Sequence, residues 1–542
     1  MKRRPKPLAI AMCALALCPF ADAQHADQSS QQASQIGSEN VEFQTSCADS
    51  VADDFDRAVA LMHSFWFAEA IDAFNAVLAV DRNCAMAHWG MALSHWGNPF
   101  AGQRNVPQLE RGRAAVNDAQ QTGSPTPREA MYIDAVAQLF ADNQPATQYQ
   151  RTLAYENAMA TLTDAYPNDR EAKIFYALAI NQNAQASDKT YARQLQAAGI
   201  LEPLFEENPE HPGLAHYIIH AYDHPPLAER ALNAAEVYAS LAPDAPHALH
   251  MPSHTFTRVG RWQASVDTNL RAAQAARNDN DVGSELHALD YQAYAYLQMG
   301  RDEAAAAVVE RALSLTEQVN ITAVGATQAG AFAIAAIPAR YALEREDFAA
   351  AAALTVNPAE STPHTQAMTH FARALGAARL GELQAAQDDL DMLAILKGRA
   401  EANRDAYWSE QIDIQLQVAQ AWVSFAQGDQ DQGIALLRAA AQTEDGTDKS
   451  AVSPGPLAPA RELLGTMLLA AGQPELALVE FEATMQKEPN RFLALQGAAQ
   501  AADKAGNRQT AQNYYQQLLQ VAASADAERP ALIRARAYLA RQ

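Results

Sequence analysis

Over residues 67–81, FAEAIDAFNAVLAVD, apolar side chains return with the 3.6-residue period of a helix that buries one face. The same pattern recurs in DEAAAAVVERALSL (302–315), ELQAAQDDLDMLAIL (382–396), PELALVEFEATMQKEP (474–489) and RQTAQNYYQQLLQVA (508–522). The chain is rich in Ala, Leu and Gln and has few β-branched runs, so the pattern predicts an all-α protein. Each segment carries a small residue at a matching position: Ala70, Ala305, Ala386, Ala477 and Ala511. Several follow a glycine that closes the preceding helix, at Gly300, Gly381, Gly472 and Gly506. A helix ending on glycine, then a second helix with a small contact residue, is one helical hairpin.

These small and aromatic positions resemble those of the tetratricopeptide repeat (TPR) superfamily, whose unit is about 34 residues long. The likeness covers most of residues 51–540, with irregular stretches at 98–130 and 442–460. It implies a helical-hairpin solenoid, wound as a right-handed superhelix, with the first helix of each pair lining a concave groove. One hairpin cannot bury its own apolar face, so stacked hairpins share a continuous core. The expected order is a signal peptide (1–23) and a disordered tether (24–50), then N-terminal TPR-like helices with an irregular insert (51–195). Central histidine-rich repeats (196–320) and C-terminal repeats (321–542) follow.

Histidine breaks the monotony of the repeats. Seven of the 14 histidines lie within residues 211–254, where uniform scatter gives about one. Gly260-Arg261-Trp262 fits the turn inside a hairpin, which makes LHMPSHTFTRV the first helix of its pair. Counting back one unit of about 34 residues from His250 and His254 reaches His216 and His220. AHYIIHAYDH (215–224) is then the preceding first helix, with the same two positions occupied. In the TPR family these positions, fifth and ninth of the unit, face the groove. Residues four apart share a helix face, and neighbouring helices pack about 8–10 Å apart. His216, His220, His250 and His254 are therefore expected to form a square of imidazoles, with His224, His247 and His287 in reserve. Asp223 and Asp290 are the carboxylates expected behind the ligands. Pro252 would break a helix interior, so the helix is expected to start near His250 or Met251, with His247 and His250 in the entry loop or at the helix start. HALHMPSHTF (247–256) and AHYIIHAYD also resemble segments of a group of exported bacterial TPR proteins. That resemblance implies a shared cluster and no particular reaction.

A nitrogen cluster without thiolate suits copper, zinc, nickel or iron better than magnesium or calcium. An isolated histidine on a TPR helix is ordinarily a packing or peptide-contact residue; the paired spacing in consecutive repeats is what sets these apart. Two readings stay open. One is a transition-metal site in the central groove, extending to an enzyme in which the metal activates water or oxygen, with Tyr217, Tyr222 or Asp290 assisting. The other is a metal-free scaffold whose groove binds a peptide or an envelope protein. The chain has no H-E-x-x-H, G-x-S-x-G, C-x-x-C or phosphate-cradling glycine loop, so no reaction type is assigned. His63, His88 and His95, beside Trp66, Trp89 and Trp96, read as an aromatic-rich first hairpin. His364 and His370 read as ordinary surface and helix positions.

The N-terminus bears on compartment. Lys2, Arg3, Arg4 and Lys6 precede the apolar run LAIAMCALALC, and Ala21-Asp22-Ala23 supplies the small residues of a cleavage site. This is a secretory signal pattern, too short to span a bilayer, and implies a periplasmic or secreted protein without a transmembrane segment in the mature chain. QHADQSSQQASQIGSEN (24–40) is polar and aperiodic, hence the tether. Loss of four basic residues and Asp22 with the signal takes the net charge from −23 to about −26. Such a chain is repelled by phosphate backbones and anionic lipids, which argues against nucleic-acid partners. Two cysteines remain, Cys47 and Cys84. In an oxidising compartment they form either a disulfide or two separate buried thiols.

Overall fold

Glycine and proline set where these helices stop and start. Gly260 and Gly300 take φ values of 69° and 67°, a left-handed turn that side chains resist, and each precedes the second helix of a hairpin. Proline fills the first turn of Pro127–Leu139, Pro212–Ala221, Pro474–Lys487 and Pro530–Leu539, where its missing N–H has no partner to lose. Asn105 and Thr126 form reciprocal capping boxes with Gln108 and Glu129. The computed structural model describes residues 35–541 apart from 124, 145–146 and 319–328. The signal-peptide reading of residues 1–23, and residues 24–34 of the expected tether, lie outside them.

The small residues sit where helices cross. Ala70, Ala305, Ala386, Ala477 and Ala511 are all fully buried. Gly90 shows why: a Cβ there would stand 2.1 Å from Cζ of Phe74, whose ring fills the space. Consecutive helices pack as neighbours from Ala52–His63 to Pro530–Leu539, over a series of apolar cores that follow the chain. The result is a TPR-like solenoid of helical hairpins, all-α among the described residues. No helix among them is long and apolar enough to cross a membrane. The 98–130 stretch, irregular in sequence, contains the regular helix Val106–Gln121.

Residues 35–50 are not a tether. Ile36, Val41 and Phe43 are buried in the first core, and Ser46 hydrogen-bonds Glu129 through its N–H at 2.6 Å and its hydroxyl at 2.8 Å. Polar composition hid three apolar anchors spaced along the segment. Cys47 is disulfide-bonded to Cys84, the residue that leads into the helix Ala85–Trp96.

The solenoid also closes on itself. Trp262 donates to the carbonyl of Asn490 at 2.9 Å, the N–H of Phe492 donates to Gln298 Oε1 at 2.9 Å, and Arg529 pairs with Asp302. Between these contacts the 447–459 segment lies over the central repeats. Its Asp448 and Lys449 reach His224 and Asp223 at 3.0 Å each, and its Ser453 carbonyl accepts from Tyr291 at 3.3 Å. Arg340 ties the same segment down through the carbonyls of Gly455 and Pro456.

Candidate metal centre

Four helices bring six histidines together as two groups of three. Pro212–Ala221 supplies His216 and His220, one turn apart on one face. The short helix Pro246–His250 supplies His247 and His250, Pro252–Arg258 supplies His254, and Val282–Gln298 supplies His287. His216, His220 and His247 form the first triad, and His250, His254 and His287 the second. Within each triad the potential ligand atoms all lie within 4.8 Å of one another. The expected square of His216, His220, His250 and His254 is thus divided between the two triads, each completed by a reserve residue.

Pro252 accounts for the misplacement of His247. The chain enters the helix at Pro246 rather than at His250, and Met251 stays helical at φ −54° and ψ −38°. Its N–H still bonds the carbonyl of His247 at 2.9 Å, so the turn before the proline is intact. Pro252 then opens a second helical segment from its first turn. His247 and His250 therefore stand on one helical turn, each serving a different triad.

Hydrogen bonds set which nitrogen is free in three of the six rings. Asn269 donates its amide N–H to the carbonyl of Ser265 at 2.7 Å, so its oxygen faces His250 Nδ1 at 2.6 Å. His254 Nδ1 lies 2.8 Å from the carboxylate of Asp223, and His216 Nδ1 lies 2.6 Å from the carbonyl of His63. All three partners only accept, so all three Nδ1 atoms carry the proton and each Nε2 presents a lone pair. His250 Nε2 and His254 Nε2 then face each other at 3.0 Å with no proton between them, while His216 Nε2 lies 3.1 Å from His247 Nε2. His220 Nε2 and His287 Nδ1 are buried without a hydrogen-bond partner. Burial, reinforced by neighbouring imidazoles, pushes His216, His220, His247, His250 and His287 well below the usual histidine pKa. His254 is also lowered by burial, against the pull of Asp223. The cluster is a pocket of neutral nitrogen donors, with one partly exposed histidine in each triad, His247 and His287.

The surroundings of the triads differ. Phe65 stacks on His247 at 5.2 Å and on His220 at 5.7 Å, and meets His216 edge-on at 4.4 Å. It holds this place with a φ of 53°, a left-handed conformation that costs a bulky residue about 1–2 kcal/mol. Tyr238 and Phe100 complete the wall over His216 and His220. Around the second triad, Asp223 is gripped by Arg258 at 2.9 Å and Lys449 at 3.0 Å, which hold its carboxyl well below the usual range. Tyr291 stands 4.7 Å from the His250 ring and 5.0 Å from that of His254. Beyond Arg258 and Lys449 lies a cavity of about 100 Å3 lined by Trp408, Tyr407 and Phe332.

Other sequence expectations land elsewhere. His224 is outside both triads, because its Nδ1 is turned to Asp448 at 3.0 Å and its Nε2 to Gln194. Asp290 backs no histidine; it is buried against Arg340 at 3.0 Å. Tyr222 donates to Glu202 at 2.6 Å, while Tyr217 packs its ring 5.2 Å from that of His216 but commits its hydroxyl to His63. His364 is buried and stacked on Trp408 at 4.0 Å, not on the surface. His63 does more than fill the first hairpin. Its carbonyl orients His216, and its ring joins Glu171 at 2.9 Å in a third buried group with His211. Sequence offered only one hint of Phe65 and His63, the histidine-aromatic run HSFWF.

No family model and no curated protein matches the chain. Among solved structures it is similar to a human IFIT1 dimer with m7Gppp-AAAA, at 12% identity over 90% of this chain and 99% of that chain, with a TM-score of 0.38. It is also similar to the apo form of RapI, at 12% identity over 73% of this chain and 96% of that chain, with a TM-score of 0.33. The site is read from its own geometry.

Proposed function

We propose that this protein is an exported TPR-like protein that binds a transition metal through its central histidine triads. The observation that carries the reading is the pair His250 Nε2 and His254 Nε2, 3.0 Å apart with both Nδ1 protons committed elsewhere. Two lone pairs at that distance repel in a low-dielectric site. A shared proton would relieve them only by creating a buried imidazolium, which the depressed pKa values oppose. A metal cation turns the same arrangement into attraction, with Asn269, Asp223 and the His63 carbonyl as the outer partners that orient ligands. All-imidazole donors favour copper, zinc or iron. Export is supported by the N-terminal signal pattern and by the Cys47–Cys84 disulfide, a bond that persists in oxidising compartments.

The full chain, purified and reconstituted with copper, zinc or iron, is expected to retain at least one equivalent after exhaustive dialysis. Less than a tenth of an equivalent of each would end the reading. A solenoid of this type also serves as an interaction scaffold. Beside the second triad, however, the chain's own 447–459 segment already engages Asp223, His224 and Tyr291, and neutral imidazoles offer an acidic peptide no charge. If chelator leaves partner capture unchanged while His250→Ala abolishes it, the scaffold reading replaces the metal one.

A further inference from the structure

The two triads repeat each other. His216 and His220 recur one TPR unit later as His250 and His254, and each pair gains a third histidine from a following helix. No wall separates them. Ring centroids across the boundary are 6.1 Å apart for His220 and His254 and 6.2 Å for His247 and His250. Those distances match the longest pairs within a triad, 6.1 Å for His220 and His247 and 6.2 Å for His254 and His287. Two ions seated in the triads would be immediate neighbours.

Charge selects the ion. Neither triad contains a carboxylate or thiolate, and the nearest anion, Asp223, is already shared by Arg258 and Lys449. Asp290 is likewise spent on Arg340. Two divalent ions would add four uncompensated charges to a buried site, whereas two cuprous ions add two, and the desolvation cost rises with the square of charge. Imidazole also suits copper. We propose, building on the metal reading above, that the triads hold a coupled pair of copper ions whose ligand is dioxygen. Each cuprous ion gives one electron and dioxygen takes both, so its O–O bond order falls from two to one. The resulting dianion would stay with the two ions that the triads hold. The two positive charges gained by the copper are offset by the two negative charges gained by oxygen, so the buried net charge does not change. His247 and His287, the partly exposed member of each triad, mark the side from which so small a ligand would enter.

The test loads the full chain with cuprous ion under anaerobic conditions, counts copper, then admits a measured amount of oxygen. The expected result is two copper per chain, one dioxygen consumed per chain, and a cupric electron-spin signal at least tenfold below that of two independent ions. His247→Ala and His287→Ala should each drop copper to one per chain and abolish oxygen uptake, so the remaining ion stays cuprous and spin-silent until added ferricyanide takes one electron from it and a one-spin cupric signal appears, with helical circular dichroism unchanged. Should either alanine variant misfold, the wild-type copper count, oxygen uptake and spin signal together decide. One copper per chain, two copper with the full two-spin signal, or no oxygen uptake overturns the pair and leaves the metal reading standing. No bound copper, zinc or iron overturns both.

Discussion

The two triads share a spacing and differ in what holds them. The first is set by packing: a strained Phe65, with Phe100 and Tyr238, encloses His216, His220 and His247, and its one oriented nitrogen leans on a backbone carbonyl. The second is set by polar contacts, with Asp223, Asn269 and Tyr291 around His250 and His254, and a loop from the far end of the chain locking Asp223 in place. The ligand spacing repeats, but each triad has its own frame. Similar donors in dissimilar frames should differ in metal affinity and in how each fails.

The largest difference should come from Asp223→Ala. It frees His254 and strands Arg258 and Lys449, two buried cations, at a cost of about 3–5 kcal/mol. Urea unfolding should show that loss, and metal titration should show the second triad weakened about 10–100-fold while the first keeps its affinity. Equal loss from both triads would dissolve the distinction between them.

Glu171→Gln probes the first frame from behind, where Glu171 bonds His63 and His211 at 2.9 Å each. Loss of hydrogen bonds to a buried charge should cost about 2–3 kcal/mol near pH 7. The two histidines and their hydrogen bonds hold the Glu171 carboxyl below its ordinary value despite burial, so its folded pKa is depressed. Its stabilisation is therefore fully present above the unfolded pKa of about 4.3 and is lost as pH falls toward the folded value. The stability gap between wild type and Glu171→Gln should shrink from pH 5 to pH 3 in thermal melts. A gap that is constant with pH would place Glu171 outside the linkage.

The smallest effect is expected at Phe65. Phe65→Gly gives up ring stacking but releases the left-handed strain, so it should be about 1 kcal/mol more stable than Phe65→Ala in denaturant titrations. Both variants should speed metal release from the first triad to a chelator and leave the second unchanged.

Much of the site was legible because it follows the repeat. The unit length alone aligned His216 with His250 and His220 with His254, and periodicity alone announced the helices. The expectations that went astray concern tertiary choices. Pro252 marked a helix start correctly, yet Pro246 had already begun a helical turn that carries His247 inward. Asp290 lies one turn past His287, a natural place for a supporting carboxylate, but a buried Arg340 claims it. Phe65 and His63 lie over 150 positions before the residues they orient, and Lys449 lies 226 after Asp223, distances at which no periodic signal survives. Polar composition likewise concealed Ile36, Val41 and Phe43, whose burial depends on a surface made by other hairpins.

The covering of the centre by the 447–459 segment has a consequence for how the protein is made. Every residue of the first triad and its frame lies between His63 and His247, so a chain emerging from its N-terminus finishes that half early. Asp448, Lys449 and Ser453 arrive about two hundred residues later, and only then is the second half sealed. For that interval the second triad lacks its late partners while the first is already framed, so assembly of the chain gives the two halves different windows for loading.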